Sequence, residues 1–323
     1  MQYGLIVFSE TDNLGDDIQS YATRAYLPQV DYIIERENMH QFISEGNNHV
    51  AVIMSGWYLY NHLNWPPSPY IYPLNVSMHF DTYYSKYNGN PLEKNMVLEG
   101  YGAEWLNRNG PVGVRDYFTL NLLSGFGIKA YFSGCITTTL KKFPDVKKGE
   151  IIVAVDINPQ IAEYVKYHSH KKIIEKTHKI NLASVPLYER FQLVEEYLQL
   201  YQSASLVVTT RLHAALPCLA LGTPVLFIKD TKFFNRIGTY MTYMYSVFED
   251  DILLDSFQFD FDNPPQNPTN CLTIQKYIRD ICRDFIIQCE RKQDLFLTEQ
   301  MLQKDLLKRN QTIQILKRRG HLF

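Results

Sequence analysis

The sequence predicts an α/β protein with two doubly wound, Rossmann-like domains that face a cleft, followed by a helical C-terminal tail. In both halves of the 323-residue chain, short apolar runs alternate with segments of helical spacing. The runs "SLVVTT" (205–210) and "PVLFIK" (224–229) are almost continuously apolar, which is typical of parallel strands buried on both faces. A polar, turn-rich stretch, "FPDVKKGE" (143–150), separates the two halves. The predicted divisions are an N-terminal domain 1–146, a C-terminal domain 147–272 and a tail 273–323.

The N-terminal half predicts a first series of strands and helices. The first strand, 3–9, precedes a polar turn and a helix with Ile18, Tyr21, Ala22 and Ala25 on one side. The segment 65–80 is rich in proline and aromatic residues, and we expect a long functional loop there. The other predicted elements of this half are strands at 31–37 and 50–56, a strand–turn–helix unit at 111–127 and a short strand at 130–135.

The C-terminal half predicts a second β/α series. Strands are expected at 151–156 and 171–178, and a helix at 185–204 carries apolar residues at helical spacing. The two apolar strands at 205–210 and 224–229 follow. After about residue 272 the chain is expected to be mostly helical.

Composition limits the classes of partner. The formal net charge is -2, so no global basic field favours nucleic acid. No segment is long and apolar enough to cross a bilayer, and no signal peptide is evident. Together with an odd number of cysteines that lack C-x-x-C and zinc-type spacing, this predicts a reduced, cytoplasmic protein without a cysteine metal site. The cysteines are Cys135, Cys218, Cys271, Cys282 and Cys289.

The turn "DNLGDD" (12–17) is the first candidate site. Gly15 permits a tight turn, and Asp16 or Asp17 can cap the helix that follows. Alternatively, Asn13 and one of these aspartates hold a hydroxyl of the substrate. Both interpretations remain open at this point.

The segment "GVRDYF" (113–118) is the second candidate site, because Arg115 and Asp116 directly follow an apolar stretch. Asp116 is expected to cap a helix or to take a functional role. A guanidinium at the carboxyl end of a parallel strand is either paired with a carboxylate or placed to bind an anion.

The segment 207–230 is the third and most informative site, since Arg211 and His213 appear where a helix begins. Helix N-termini favour negative charge, so a cation there costs up to about 1 kcal/mol unless an anion compensates it. Thr209 and Thr210 suit capping. Free N–H groups, a guanidinium and an imidazole together favour a phosphate or carboxylate ligand. The alternative is a structural Arg–carboxylate pair with a packed histidine.

These residues resemble the polysaccharide pyruvyl transferase family. Its members carry an N-x-G-D turn, an arginine after a mid-chain strand, and a late [ST]-x-R-x-H followed by A-x-x-x-G-x-P and a lysine. One residue, rather than three, separates Ala220 from Gly222 here. The segment around His79 and the segment 131–140 also resemble one bacterial branch, and the resemblance extends over residues 1 to about 236. The matching stretches are Asn13 to Asp16, Arg115–Asp116, Thr209 to His213, Ala220 to Pro224, and Lys229.

The resemblance implies a glycosyltransferase-B-like fold, phosphoenolpyruvate as donor, and a pyruvate ketal on a surface glycan as product. No metal and no further cofactor is required. The residues expected in catalysis are His213, Arg211, Arg115 and Asp116, with His213 as proton donor or phosphate ligand. The donor site is expected to contain Thr209, Thr210, Arg211, His213, Arg115 and Lys229. The acceptor side is expected to contain Asn13, Asp16, Asp17 and His79.

Two other functions compete with this one. A sugar-nucleotide glycosyltransferase would share the anion site, but Pro217 stands where such enzymes often carry the glutamate that binds ribose. A non-catalytic glycan-binding protein would use the aromatic segment 57–80. The sequence does not identify the sugar acceptor, whether that acceptor is lipid-linked or free, or the oligomeric state.

The basic tail permits two interpretations. The first is a solvated helix. The second is peripheral contact with the inner face of an anionic membrane that carries a lipid-linked acceptor. The residues concerned are Lys308, Arg309, Lys317, Arg318 and Arg319, with Ile313, Ile315 and Leu316.

Overall fold

A computed structural model describes residues 1–58, 65–80, 98–229, 237–292 and 298–318. Its parallel sheets and intervening helices confirm the predicted mixed α/β class. The strands are β1 Gln2–Val7, β2 Tyr32–Glu35, β3 Val50–Ile53, β4 Gly56–Tyr58, β5 Ile71–Leu74, β6 Met78–Phe80, β7 Val112–Val114, β8 Ala130–Phe132, β9 Ile151–Val155, β10 Lys172–Lys176, β11 Leu206–Thr209, β12 Val225–Lys229 and β13 Tyr245–Phe248. The helices are α1 Leu14–Arg24, α2 Gly100–Arg108, α3 Tyr117–Gly125, α4 Pro159–Tyr167, α5 Leu187–Ser203, α6 Leu212–Leu221, α7 Glu249–Leu253, α8 Cys271–Arg291 and α9 Glu299–Arg318.

The chain separates into two compact units. Unit 1 contains Met1–Phe8, Thr23–Gly134 and Asp280–Phe323, and unit 2 contains Ser9–Ala22 and Cys135–Arg279. Residues 9–22 therefore cluster with the second half of the chain rather than with the first. The predicted domains 1–146, 147–272 and 273–323 stay predictions.

Unit 1 is built on two parallel four-stranded sheets, with strand orders β2-β1-β3-β5 and β4-β6-β7-β8. Strand β3 is buried at every position, because Val50, Ala51, Val52 and Ile53 offer no polar side chain to either face. Trp105 of α2 and Leu123 of α3 belong to the same apolar core.

The segment 65–80, predicted as a long loop, contains strands β5 and β6, so that prediction was wrong. Strand β6 lies inside the second sheet, between β4 and β7, and all three of its residues are buried. Strands of three or four residues that contain proline or histidine give no clear period-2 pattern, and pairing with neighbours decides their structure. Residues 59–64 of the wider aromatic segment lie outside the described chain.

Unit 2 is built on one parallel five-stranded sheet with the order β10-β9-β11-β12-β13. Because all its strand pairs are parallel, the carboxyl ends of β9, β10, β11 and β12 meet at one edge of the sheet. That edge is where open α/β sheets place their ligands. Strand β13 was not predicted, since "YSVF" is short and only partly buried at the rim of the sheet.

The tail is helical, as predicted, in its described part, where α8 and α9 run. Arg309 of α9 pairs with Asp305 and donates to the carbonyls of Pro66 and Pro67, and Lys308 bonds to Glu104. No helix in the described ranges is long and apolar enough to cross a membrane.

Candidate functional site

The N-terminal turn is organised by its own side chains. Asn13 Oδ1 accepts a hydrogen bond from the backbone N–H of Gly15 at 3.2 Å. The hydroxyl of Thr11 donates to Asp16 Oδ2 at 2.7 Å. The expectation that Asp16 or Asp17 caps the helix was therefore wrong: both lie in the first turn of α1, and Asn13 binds the backbone there.

Asp17 has a different environment from its neighbour. It is fully buried, and Arg190 of α5 binds both of its oxygens, with Nε–Oδ2 at 3.2 Å and Nη2–Oδ1 at 2.6 Å. Burial raises the pKa of Asp17 to about 6, and the guanidinium of Arg190 opposes that rise. The pair connects α1 to α5 in the core of unit 2, and the acceptor-side role expected of Asp17 stays a prediction.

The turn packs against the segment after β10 and against the start of α6. The N–H of Leu14 donates to the carbonyl of His178 at 2.9 Å, and Asn13 forms an antiparallel bridge with Lys179. A Cβ added at Gly15 would lie 2.9 Å from both Cβ and Nδ1 of His213. The structure thus places the N-x-G-D turn, which was expected to bind the sugar acceptor, next to His213, which was expected to bind the donor substrate.

Arg211 immediately precedes α6, as the sequence predicted. Its Nε donates to Asp156 Oδ2 at 2.6 Å, so the ion-pair alternative is present and the paired carboxylate is Asp156. The negative charge of Asp156 therefore compensates the positive charge of Arg211 at the start of α6, even without a bound ligand. Within the described residues this is the only hydrogen bond of the guanidinium, which leaves its two terminal nitrogens able to donate to a ligand.

Thr209 and Thr210 were expected to cap α6, but that was wrong: Arg211 is the N-cap residue, and its side chain forms no capping hydrogen bond within the described residues. The two threonines instead hold the backbone beside Arg211. The hydroxyl of Thr209 donates to the carbonyl of Val155 at 3.0 Å and accepts from the N–H of Arg211 at 2.9 Å. The hydroxyl of Thr210 donates to the carbonyl of Asp156 at 2.7 Å. Both threonines therefore connect the end of β11 to the end of β9.

His213 and Lys229 lie in the same unit. His213 is in the first turn of α6, is 9% exposed, and has its Nε2 3.9 Å from the sulfur of Cys135. Lys229 ends β12, and its ammonium lies 3.9 Å from the ring centroid of Phe248. Burial lowers the pKa of Lys229.

Unit 1 holds a second cluster at the end of β7. His79 Nδ1 is 2.6 Å from Asp116 Oδ2 and 3.1 Å from the hydroxyl of Thr119. Asp116 caps α3, as predicted, because its Oδ1 accepts from the N–H of Thr119 at 2.8 Å. Arg115 is 2% exposed, and its Nε lies 4.0 Å from the same carboxylate.

The cluster in unit 1 favours an ionised Asp116. Burial works to raise the pKa of its carboxyl group, but His79, Arg115 and the Thr119 amide together hold the pKa below its usual value. The rings of Trp57 and His79 form a T-shaped pair, with their centroids 5.5 Å apart and their planes at 76°. The structure thus brings together Arg115, Asp116 and His79, which the sequence places in two separate segments.

Sequence reasoning missed four residues of unit 2: Asp156, Thr177, His178 and Arg190. Asp156, Thr177 and His178 end predicted strand segments, so polar side chains at a strand's carboxyl end were the available signal. His178 is fully buried; burial lowers its pKa to about 3, and its Nε2 lies 2.7 Å from the hydroxyl of Tyr201.

The described part of the chain contains no group of three or more His, Cys, Asp or Glu side chains that could hold a metal ion. That the reaction needs no metal stays a prediction.

Comparison with solved structures gives distant similarities. A functionally uncharacterised protein from Klebsiella pneumoniae aligns over 74% of this chain and 87% of its own, with 11% identity and a TM-score of 0.42. A UDP-GlcNAc 2-epimerase from Methanocaldococcus jannaschii aligns over 87% of this chain and 99% of its own, with 11% identity and a TM-score of 0.46. None of the curated proteins compared matches.

Comparison with family models gives a match over residues 13–230, to the model described as polysaccharide pyruvyl transferase. The matched range contains the N-x-G-D turn, Arg115–Asp116, the R-x-H segment and Lys229, and it covers more than half of the chain. The chain therefore belongs to the polysaccharide pyruvyl transferase family.

Proposed function

We propose that this protein transfers the enolpyruvyl group of phosphoenolpyruvate to sugar hydroxyls of a bacterial surface glycan or its precursor. The product is a pyruvate ketal, and phosphate is released. The observation that carries the proposal is the assembly of Arg211, His213 and the Asn13–Asp16 turn at one sheet edge in unit 2. Family membership supports the reaction class.

Donor binding is assigned to the start of α6. Phosphoenolpyruvate carries a phosphate and a carboxylate on a three-carbon frame. The terminal nitrogens of Arg211 can hold one of these groups in a bidentate manner. The first N–H groups of α6, a ten-residue helix, supply further donors at its positive end.

Proton donation to the donor is assigned to His213. Ketal formation begins when a proton adds to C3 of the vinyl group and C2 becomes oxocarbenium-like. A sugar hydroxyl then bonds to C2, the C2–O bond to phosphate breaks, and a second hydroxyl closes the ring. Two hydroxyl protons are lost; one is balanced by the proton gained at C3 and the other leaves with phosphate.

Activation of the acceptor is assigned to His79. Asp116 binds Nδ1 of His79, which fixes the orientation of the ring and directs Nε2 as the base. Asp116 also stabilises the imidazolium that forms when His79 takes a hydroxyl proton. A glycosyltransferase-B-like fold is part of this proposal, and it rests on the family resemblance.

The place of action follows from the proposed acceptor. A lipid-linked oligosaccharide would be modified at the cytoplasmic face of the inner membrane, where phosphoenolpyruvate is present. Contact of the protein with that membrane is proposed to be peripheral and weak.

Ligand-induced thermal shifts test the assignment of the donor. We expect phosphoenolpyruvate to raise the Tm of the wild type, UDP-GlcNAc to leave it unchanged, and Arg211→Lys to reduce the shift. A shift with the nucleotide sugar and none with phosphoenolpyruvate would instead support a sugar-nucleotide glycosyltransferase. No shift with either ligand, but one with a glycan extract, would support a glycan-binding protein.

A further inference from the structure

Asp156 has a positive φ angle, and its carboxylate accepts three hydrogen bonds. It follows β9 with a φ of 51°, in the left-handed region that residues other than glycine seldom adopt. Its Oδ1 accepts from the hydroxyl of Thr177 at 2.6 Å. Its Oδ2 accepts from the N–H of His178 at 2.9 Å and from Nε of Arg211 at 2.6 Å.

These bonds join three segments at the ligand edge of the sheet. Thr177 and His178 follow β10, Arg211 precedes α6, and the backbone carbonyl of Asp156 also accepts from Thr210 at 2.7 Å. A strained backbone persists only where its surroundings fix it, and such residues cluster at functional sites.

One residue, His178, connects the carboxylate of Asp156 to the N-terminal turn by hydrogen bonds. His178 donates its N–H to Asp156 and accepts at its carbonyl from Leu14. Both residues contacted in this way, Arg211 and Leu14, belong to segments that contain expected substrate ligands. A shift of Asp156 would therefore displace both segments together.

We propose that Asp156 is a positioning residue that holds the Nε side of Arg211 and, through His178, the Asn13–Asp16 turn, so that the terminal nitrogens of Arg211 keep one orientation toward an anionic ligand. Naming that ligand phosphoenolpyruvate rests on the proposed function. The orientation of Arg211 in the ligand-free protein does not depend on the proposed function.

Two substitutions separate the geometry of Asp156 from its charge. Asp156→Gly removes the carboxylate and adopts positive φ without strain. Asp156→Asn also tolerates that φ, and its amide oxygen can accept from His178 and Arg211 while its NH₂ donates to Thr177. A positioning role therefore requires that Asn largely replaces Asp and that Gly does not.

The orientation of Arg211 can be read directly by NMR. The full chain is labelled with ¹⁵N-arginine, and the Nε–Hε signal that disappears in Arg211→Lys is assigned to Arg211. We expect this signal to be protected from exchange in the wild type and in Asp156→Asn, and to broaden or move to the position of a solvated guanidinium in Asp156→Gly.

The affinity for phosphoenolpyruvate is measured on the same proteins by calorimetry, with inorganic phosphate as a second probe. We expect Asp156→Gly to raise the Kd at least about tenfold and Asp156→Asn to stay within about threefold. Asp305→Asn is the matched control, because the Arg309 Nε–Asp305 Oδ2 distance is also 2.6 Å. It should leave the Kd unchanged.

Each outcome decides one of the two proposals. If Asp156→Gly keeps the wild-type Arg211 signal and Kd and only lowers the Tm, Asp156 is structural and the inference is overturned. If the Arg211 signal collapses in Asp156→Gly but the wild type binds neither probe, the positioning role stands and the proposed donor is wrong.

Discussion

Gly15 and His213 are in direct contact, although 198 positions of sequence separate them: a Cβ on Gly15 would lie 2.9 Å from both Cβ and Nδ1 of the imidazole. The same Cβ would lie 3.2 Å from Asn13 Oδ1. Glycine is required at position 15 because a larger side chain would collide with His213. The N-x-G-D turn is therefore fitted to the histidine that we assign as proton donor.

Gly15→Ala should displace His213 and lower kcat/KM by on the order of tenfold or more, because small displacements of a catalytic group are costly. Steady-state kinetics with phosphoenolpyruvate measures this. Gly125→Ala is the control, since a Cβ there would meet nothing within 4 Å. Equal kinetics for the two variants would mean that the fit between Gly15 and His213 has no role in turnover.

Arg211→Lys should lower kcat/KM at least roughly 30-fold, because an ammonium cannot replace a bidentate guanidinium and the loss is about 2–4 kcal/mol of transition-state binding. The helix dipole alone predicts that the Tm of the ligand-free protein holds or rises. The bond between Arg211 and Asp156 changes that expectation to a small fall.

Calorimetric melting beside the kinetics checks both parts of the Arg211→Lys prediction. Near-normal turnover in a folded variant would place the anion site elsewhere. Complete unfolding of the variant would make Arg211 a structural residue.

Asp116→Asn should lower kcat by about 100-fold or more and should also lower the Tm, because the buried carboxylate charge is stabilised by His79 and Arg115. The amide can still accept from Thr119, so the cap of α3 survives, but it no longer carries the charge that stabilises a protonated His79. The measurement is kcat with a saturating acceptor. Unchanged kcat would remove His79 and Asp116 from the proposed mechanism.

Arg190→Met should destabilise the protein by about 3–5 kcal/mol, because it leaves the carboxylate of Asp17 buried without its cation. Asp17→Asn combined with Arg190→Met should recover much of that loss. Urea unfolding of the three proteins measures the effect. Loss of acceptor affinity in the stable double variant would give Asp17 the acceptor role that its sequence position suggested.

Acid should destabilise the protein partly through His178. Its pKa is 6.5 when unfolded and about 3 in the folded state, where burial keeps it neutral. The unfolded state therefore binds the extra proton, so this stabilisation is complete above about pH 6.5 and is lost as the pH falls toward 3. His178→Gln should flatten the slope of unfolding free energy against pH in this window, and an unchanged slope would contradict the assignment.

Local sequence patterns predicted the strand–helix junction that contains the R-x-H segment. An apolar strand followed by Thr209, Arg211 and His213 at a helix start needs only local information, and the structure has that order. The partners of these residues could not be predicted, because Asp156 and Asp17 find Arg211 and Arg190 across 55 and 173 positions of sequence. Such contacts depend on strand order, which no periodicity encodes.

The tail shows the same limit. Lys308 and Arg309 were predicted as solvated or membrane-facing cations, yet Arg309 is bonded to Asp305 and to the Pro66 and Pro67 carbonyls. The side chains of Ile313, Leu316 and Lys317, and all of Arg319, lie outside the described residues. Contact with a membrane stays a prediction.

Transfer of label from ¹³C₃-phosphoenolpyruvate to a glycan tests the central claim most directly. The purified protein is incubated with labelled donor and a pool of lipid-linked and free oligosaccharides in excess chelator. Phosphate release and the mass of the glycans are followed together. We expect the labelled pyruvate-ketal increment on glycan in equal amount with released phosphate, and neither product with His213→Ala. Absence of both products from the folded wild type, or transfer of a sugar from an added nucleotide sugar instead, would contradict the account.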